Sequence, residues 1–193
     1  MNVNYKEINT KSNYLSLLRL FLAIPFYFLL EHIHEDYSYR LIILTLMLFG
    51  MFTDLADGWI ARKYNEITEM GKIIDPLADK VAIGVIVIKL YLIGELPSFY
   101  FWVIILRDVI IFIGGIWVSK QIGKVLPSNL LGKITVLTIG FFLIALILNA
   151  EVEAPGIYSL LFYISLSMSF ISVIGYAVRG YESIKWKKRN ETV

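Results

Sequence analysis

Long apolar runs, each about the length of a membrane-spanning helix, follow one another along the chain. An α-helix needs about 20 mainly apolar residues to cross about 30 Å of hydrocarbon. No segment alternates apolar and polar residues as a strand of a membrane barrel does. The pattern predicts an all-α membrane protein with six transmembrane helices, at about residues 14–31, 40–61, 74–94, 98–119, 131–150 and 156–178.

Charges between these runs alternate in sign along the chain. Three connections are mainly acidic, and Arg40 is their one clear cation. Because cytoplasmic segments carry the excess of Lys and Arg, both termini are predicted to be cytoplasmic. The basic residues lie in the N-terminal segment, in the connections after the second and fourth runs, and in the tail: Lys6, Lys11, Arg62, Lys63, Lys72, Lys120, Lys124, Lys185, Lys187, Lys188 and Arg189.

The predicted organisation is a single membrane domain over residues 1–193, with a six-helix bundle at 14–178. Polar residues 1–12 are predicted to form an N-terminal interfacial helix. Residues 179–193 form a basic cytoplasmic tail, interpreted either as an anchor for anionic headgroups or as an ordinary positive-inside tail. Aromatic residues near the ends of the runs are typical of interface belts: Tyr37, Tyr39, Trp59, Tyr100, Trp102, Trp117, Tyr181 and Trp186.

Composition narrows the possible chemistry. The chain is 58% hydrophobic and 18% charged, whereas soluble domains are about 25% charged. The absence of cysteine excludes disulfides, iron–sulfur clusters and thiol nucleophiles. Two histidines make a His-rich metal site improbable, and a net charge of +2 gives no reason to expect a nucleic-acid partner.

Four aspartates occur where membrane helices rarely carry charge. Asp54 and Asp57 are three residues apart at the end of the second predicted span, and Asp75 and Asp79 are four apart at the start of the third. Each spacing places a pair on one helix face. Because the two spans are consecutive and joined by a predicted cytoplasmic loop, the two carboxylate faces are expected to meet at the cytoplasmic mouth of the bundle.

The cost of burying these charges indicates their role. One aspartate at a helix centre costs about 2.5–3.5 kcal/mol on insertion scales, and less near the interface. Two divalent cations would neutralise all four carboxylates, and oxygen ligands favour magnesium or manganese. Two such ions are a common clamp for phosphoryl transfer. The alternatives are a small ion or proton transporter that uses the aspartates as a relay, and a non-catalytic scaffold in which they join helices.

Small and basic residues complete the pattern. Gly58 and Ala61 lie on the same helical stripe as the first aspartate pair, and small side chains let a bulky ligand approach the backbone. Arg62 follows directly and is suited to bidentate phosphate binding.

The spacing D-x2-D-G-x2-A-R-x8-G-x3-D-x3-D resembles the signature of the CDP-alcohol phosphotransferase family, here Asp54, Asp57, Gly58, Ala61, Arg62, Gly71, Asp75 and Asp79. The resemblance implies an enzyme in which an alcohol hydroxyl attacks the β-phosphorus of a CDP-linked donor and CMP leaves. It implies two Mg²⁺ ions, with Mn²⁺ as a substitute, bound by the four aspartates, and Asp79 as general base. By the same resemblance, the nucleotide would be bound by Asp57, Gly58, Ala61, Arg62 and Gly71. The resemblance also implies a homodimer in the bacterial inner membrane, with the active site facing the cytoplasm.

Within the family the chain is most similar to the phosphatidylglycerophosphate synthases, which use CDP-diacylglycerol and sn-glycerol 3-phosphate. The similarity lies in segments 13–25, 70–80 and 132–134. An anionic acceptor needs cations besides the metals, and Arg107 and Lys133 are the candidates. Thr135 stands where that group often has a second lysine, and Arg107-Asp108 where it often has Arg-Glu. An Arg-Asp pair is closer to the family's cardiolipin synthases, whose acceptor is phosphatidylglycerol, so that alternative stays open.

Overall fold

The computed structural model describes residues 11–64, 71–123 and 130–191, and the regular structure within these ranges is helical. Each of the six predicted spans coincides with one long helix, which confirms the all-α class. The predicted interfacial helix falls largely on residues 1–10, outside the described ranges. The helices are α1 (Lys11–Glu31), α2 (Tyr37–Tyr64), α3 (Gly71–Leu92), α4 (Ser98–Ile122), α5 (Leu130–Ile147), α6 (Ala150–Glu153) and α7 (Pro155–Glu191).

The helices group into two compact units, which are described separately. Unit 1 ends at Glu95 and contains α1, α2 and α3, whereas unit 2 begins at Leu96 and contains α4 to α7. The single domain over residues 1–193 stays a prediction.

In unit 1, α1 packs against both α2 and α3. One residue from each helix is completely buried, namely Leu30, Ile43 and Leu90. Between membrane helices, such side chains stabilise the bundle by van der Waals packing, because lipid is as apolar as they are. The three residues lie near the end of α1, the start of α2 and the end of α3.

Two ion pairs lie at the same end of unit 1. Arg40 Nη2 is 2.9 Å from Glu95 Oε1, and Lys89 Nζ is 3.1 Å from Glu31 Oε2. The Lys89 ammonium also lies 4.2 Å from the centre of the Tyr27 ring. Both cations are buried, so each needs a counter-charge. The Arg40–Glu95 pair explains why a cation occurs in a connection that is otherwise acidic.

In unit 2, α7 packs against both α4 and α5. An aromatic cluster of Tyr100, Phe142, Tyr158 and Phe162 fills the space between them, with ring centres 4.5–6.4 Å apart. Tyr100 is fully buried and donates a hydrogen bond of 2.7 Å to Ser165 Oγ. Its prediction as an interface-belt residue was wrong, because its hydroxyl has a partner inside the unit instead of in the headgroup region.

Two helix ends differ from the predicted boundaries. The fifth span was predicted to reach residue 150, but α5 ends at Ile147, and Asn149 adopts a left-handed conformation with φ of 56°. The sixth span was predicted to end near 178, but α7 continues to Glu191. Apolar residues mark only the part of a helix that is buried or lipid-facing. The polar continuation of α7 beyond residue 178 could therefore not be predicted from them.

The extension of α7 is held against α4. At Gly180 an added Cβ would lie 2.9 Å from Val118 Cγ2, so a larger residue would force Val118 or the helix to shift. Lys187 Nζ donates a hydrogen bond of 3.0 Å to the Gln121 carbonyl in the last turn of α4. A cation there also interacts favourably with the negative end of the helix dipole. The basic tail therefore begins as a packed helix.

Helix length and composition support a membrane protein. Among the described residues, three helical segments are long and apolar enough to cross a bilayer: Ser98–Ile122, Leu130–Ile147 and Pro155–Lys187. Shorter apolar helical segments cover Leu20–Glu31 and Tyr37–Thr53.

We expect Glu95→Ala to destabilise unit 1. The substitution leaves the buried Arg40 guanidinium without the carboxylate 2.9 Å away, and breaking a buried pair costs about 3–5 kcal/mol. Thermal unfolding in detergent should show a clear fall in melting temperature. The control is Glu35→Ala, at an exposed position in the connection between α1 and α2. This variant should have the melting temperature of the unaltered protein. Equal melting of both variants would show that the ion pair adds no stability.

Candidate active site

The aspartate motif is divided between two helices of unit 1. Asp54, Asp57, Gly58, Ala61 and Arg62 lie in the C-terminal half of α2, and Gly71, Asp75 and Asp79 lie in the first turns of α3. The side chains of these eight residues are outside the described part of the structure. Their backbones are helical, so spacings of three and four residues place each aspartate pair on one helix face.

The ion pairs at the other end of unit 1 determine how these two half-motifs are arranged. Arg40, near the start of α2, contacts Glu95, just beyond the end of α3. The start of α2 and the end of α3 therefore lie together. Because both helices are continuous, the end of α2 and the start of α3 must both point to the opposite end of the unit.

The aspartates lie far from the paired end of unit 1. At 1.5 Å per residue, Asp54 lies about 21 Å along α2 from Arg40, and Asp75 lies about 21 Å along α3 from Lys89. Both half-motifs are therefore remote from the ion pairs Arg40–Glu95 and Lys89–Glu31. The expectation that the two carboxylate faces meet stays a prediction, but the helix directions are those it requires.

The donor set suits hard divalent cations. Four carboxylates supply only oxygen, the ligand type that Mg²⁺ and Mn²⁺ prefer. Among the side chains that the structure describes, no group of three or more His, Asp or Glu residues is placed to hold a metal. The oxygen donor set makes the motif at the end of α2 and the start of α3 the predicted metal centre, with Asp54, Asp57, Asp75 and Asp79 as its predicted ligands.

Arg107 lies inside unit 2, near the middle of α4. It is 8% exposed, although the helix around it is strongly apolar. Its Nε donates a hydrogen bond of 3.2 Å to Ser172 Oγ, and its Nη1 is paired with the Asp108 carboxylate. These two contacts hold the Arg107 side chain inside unit 2.

Lys133 and Thr135 occupy different environments at the start of α5. Lys133 is exposed, whereas Thr135 is completely buried. The Thr135 hydroxyl lies 2.8 Å from the Leu131 carbonyl and 3.1 Å from the Met168 carbonyl of α7. Thr135 therefore joins two helices, and Lys133 is the accessible cation of this turn.

Two contacts of buried cations, one in each unit, were not foreseen from the sequence. Lys89 is a buried cation held by Glu31, and Ser172 accepts a hydrogen bond from Arg107. Ser165, Ser169 and Ser172 are regularly spaced on α7, and all three are buried inside unit 2. The spacing of the serines along α7 did not indicate that Ser172 would contact Arg107 on α4.

Comparison with known proteins assigns the family. The family model for CDP-alcohol phosphatidyltransferase matches residues 9–173, which include both half-motifs, Arg107 and Lys133. The chain belongs to the CDP-alcohol phosphatidyltransferase family. It is therefore a membrane transferase of phospholipid biosynthesis, and the resemblance drawn from the aspartate spacing is confirmed.

Relatives within the family share most of the chain. A CDP-diacylglycerol--glycerol-3-phosphate 3-phosphatidyltransferase of Aquifex aeolicus is 36% identical over 179 residues, covering 89% of this chain and 96% of that protein. A protein of the same name from Mycoplasma pneumoniae is 27% identical, covering 91% and 89%. A probable phosphatidylglycerophosphate synthase of Mycobacterium tuberculosis is 28% identical, covering 92% and 85%.

We expect the purified protein to bind two Mn²⁺ ions per chain, and Asp54→Asn to weaken that binding at least about tenfold because a charged ligand is lost. Electron paramagnetic resonance of the free ion in detergent measures the stoichiometry without any turnover. Asp36→Asn, at the opposite end of unit 1, is the matched control and should bind as the unaltered protein does. Full binding by Asp54→Asn would remove this aspartate from the metal centre.

Proposed function

We propose that this family member transfers a phosphatidyl group from CDP-diacylglycerol to sn-glycerol 3-phosphate, producing phosphatidylglycerophosphate and CMP. The observation that carries the proposal is the 36% identity, over nearly the whole of both chains, to a relative whose name states this reaction. The complete aspartate motif on α2 and α3 supplies the residues that the chemistry needs.

The proposed setting is the inner membrane of a bacterial cell, crossed by six helices with both termini in the cytoplasm. The alternation of basic and acidic connections supports this orientation. It places the motif at the cytoplasmic face, where the nucleotide of the donor is in water and its acyl chains are in the bilayer. A homodimer is proposed from the family resemblance.

In the proposed reaction the acceptor hydroxyl oxygen forms a bond to the β-phosphorus of CDP-diacylglycerol. The bond from that phosphorus to the CMP oxygen breaks, and CMP leaves with the electron pair. Asp79 accepts the hydroxyl proton, because a general base must lie within hydrogen-bond reach of the group that it activates. Asp54, Asp57, Asp75 and Asp79 would hold two Mg²⁺ ions, which supply neutralisation of the pyrophosphate charge.

Residues beside the aspartates are proposed to hold the donor. Gly58, Ala61 and Gly71 leave space for the nucleotide close to the helix backbones. Arg62 binds a phosphate oxygen pair with its planar guanidinium, and Asp57 contributes to the nucleotide site as well as to the metals.

Arg107 and Lys133 are proposed to bind the phosphate of the acceptor. An arginine at membrane depth is costly and usually serves a pocket. The burial of Arg107 in α4 and its two side-chain contacts support a fixed position for its charge. The exposed Lys133 adds a second cation that can follow the ligand.

The acceptor is tested directly with purified protein, CDP-diacylglycerol and Mg²⁺. We expect CMP release with glycerol 3-phosphate, a product with the mass of phosphatidylglycerophosphate, and loss of the reaction in EDTA. A parallel reaction offers phosphatidylglycerol, the acceptor suggested by the Arg107-Asp108 sequence. Cardiolipin as the sole product would replace the proposed acceptor, and no CMP release with either acceptor would contradict the proposed function.

Asp79→Asn should lower turnover by about 10²–10⁴, the usual contribution of a general base. The asparagine side chain has nearly the same size but cannot accept the hydroxyl proton. Rates of CMP release at saturating substrates measure the effect, with Asp36→Asn as the control for loss of an aspartate outside the motif. Undiminished turnover in Asp79→Asn would show that another group is the base.

A further inference from the structure

Three buried serines form a continuous row of hydrogen bonds along α7. Each hydroxyl donates to a carbonyl one turn earlier: Ser165 to Phe162 at 3.0 Å, Ser169 to Ser165 at 2.8 Å, and Ser172 to Ser169 at 2.8 Å. All three are at most 1% exposed. These bonds fix the side-chain rotamers, because the one hydrogen of each hydroxyl is used in its bond to a carbonyl.

Ser172 differs from its neighbour Ser169 in what its oxygen accepts. The Ser172 hydrogen points to the Ser169 carbonyl, so the oxygen lone pairs remain available to a donor. Arg107 Nε, on α4, donates to this oxygen at 3.2 Å. At the N-terminal end of the row, Ser165 Oγ likewise accepts a hydrogen bond of 2.7 Å from the Tyr100 hydroxyl. No corresponding donor to Ser169 Oγ is seen among the described residues.

The guanidinium of Arg107 is therefore held on two sides. Ser172 binds Nε, the nitrogen nearest the aliphatic stem, and Asp108 pairs with Nη1. Asp108 is the next residue on the same helix and its side chain is 44% exposed, so this pair alone leaves the arginine stem free to rotate. The contact with Ser172 comes from another helix and is fully buried, so it fixes the plane of the guanidinium.

The two contacts use two of the five N–H donors of an arginine. The remaining three are on Nη1 and Nη2, at the outer end of the group. A phosphate is bound best when such donors are already oriented, because less side-chain freedom is lost on binding.

We propose that Ser172 is a positioning residue that orients the Arg107 guanidinium for the phosphate of the acceptor. The inference rests on the proposed function, since it assigns Arg107 to acceptor binding. It goes further in assigning a role to a hydroxyl on α7 that would act through Arg107 and not on the substrate itself.

The test is steady-state kinetics of Ser172→Ala with CDP-diacylglycerol and glycerol 3-phosphate varied separately. A hydrogen bond to a charged group is lost, so we expect the KM for glycerol 3-phosphate to rise about tenfold. The KM for CDP-diacylglycerol should stay within about twofold. Equal changes in both KM values, or no change in either, would overturn the proposal.

Ser169→Ala is the matched control. It removes the same atom from the same helix at the same degree of burial, but keeps the main-chain carbonyl that orients Ser172. Its melting temperature in detergent should fall as much as that of Ser172→Ala, while its acceptor KM stays unchanged. A rise in acceptor KM equal to that of Ser172→Ala would mean that the row acts only through packing.

A double-mutant cycle with Arg107→Ala decides whether Ser172 acts through the arginine. If it does, Ser172→Ala should have almost no further effect on acceptor KM once Arg107 is replaced. Additive effects would contradict the positioning role. Failure of the proposed function is distinguishable, since the unaltered protein would then release no CMP with glycerol 3-phosphate.

Discussion

A buried charge needs a partner group, and each buried cation that the structure describes, Arg40, Lys89 and Arg107, contacts a carboxylate. Arg40 is paired with Glu95, and Lys89 with Glu31, at one end of the three helices. These pairs join residues 55 and 58 positions apart in the chain. They therefore fix which helix ends lie together.

The arrangement at the paired end has a consequence at the other end. Because α2 and α3 are continuous helices held together at one end, their aspartate-bearing turns are directed to the opposite end. There the predicted partners of the carboxylates are metal ions instead of basic side chains. At one end of the unit, carboxylates neutralise buried cations and stabilise the structure. At the other end, in the proposed function, metal ions neutralise the aspartates and serve catalysis.

Unit 2 meets the requirement with hydrogen bonds to α7 as well as with an ion pair. Tyr100, Thr135 and Arg107 each donate to an oxygen on α7, and Arg107 is also paired with Asp108. Serine is small enough to let helices approach closely and still supplies an acceptor. This combination allows a buried arginine to keep its charge at a defined place, which is what recognition of a phosphorylated acceptor needs.

The sequence alone determined the helical class, the positions of six long helices and the family. Apolar runs report burial or lipid contact directly, and the spacing of Asp54, Asp57, Asp75 and Asp79 follows from helical periodicity. The tertiary structure decided what those patterns do not encode. Tyr100 appeared as an interface residue and is a core residue, and Ser172 on α7 proved to accept a hydrogen bond from Arg107. Such contacts join helices far apart in sequence, and their register depends on how the helices pack. The periodicity of residues within a single helix carries no information about that packing.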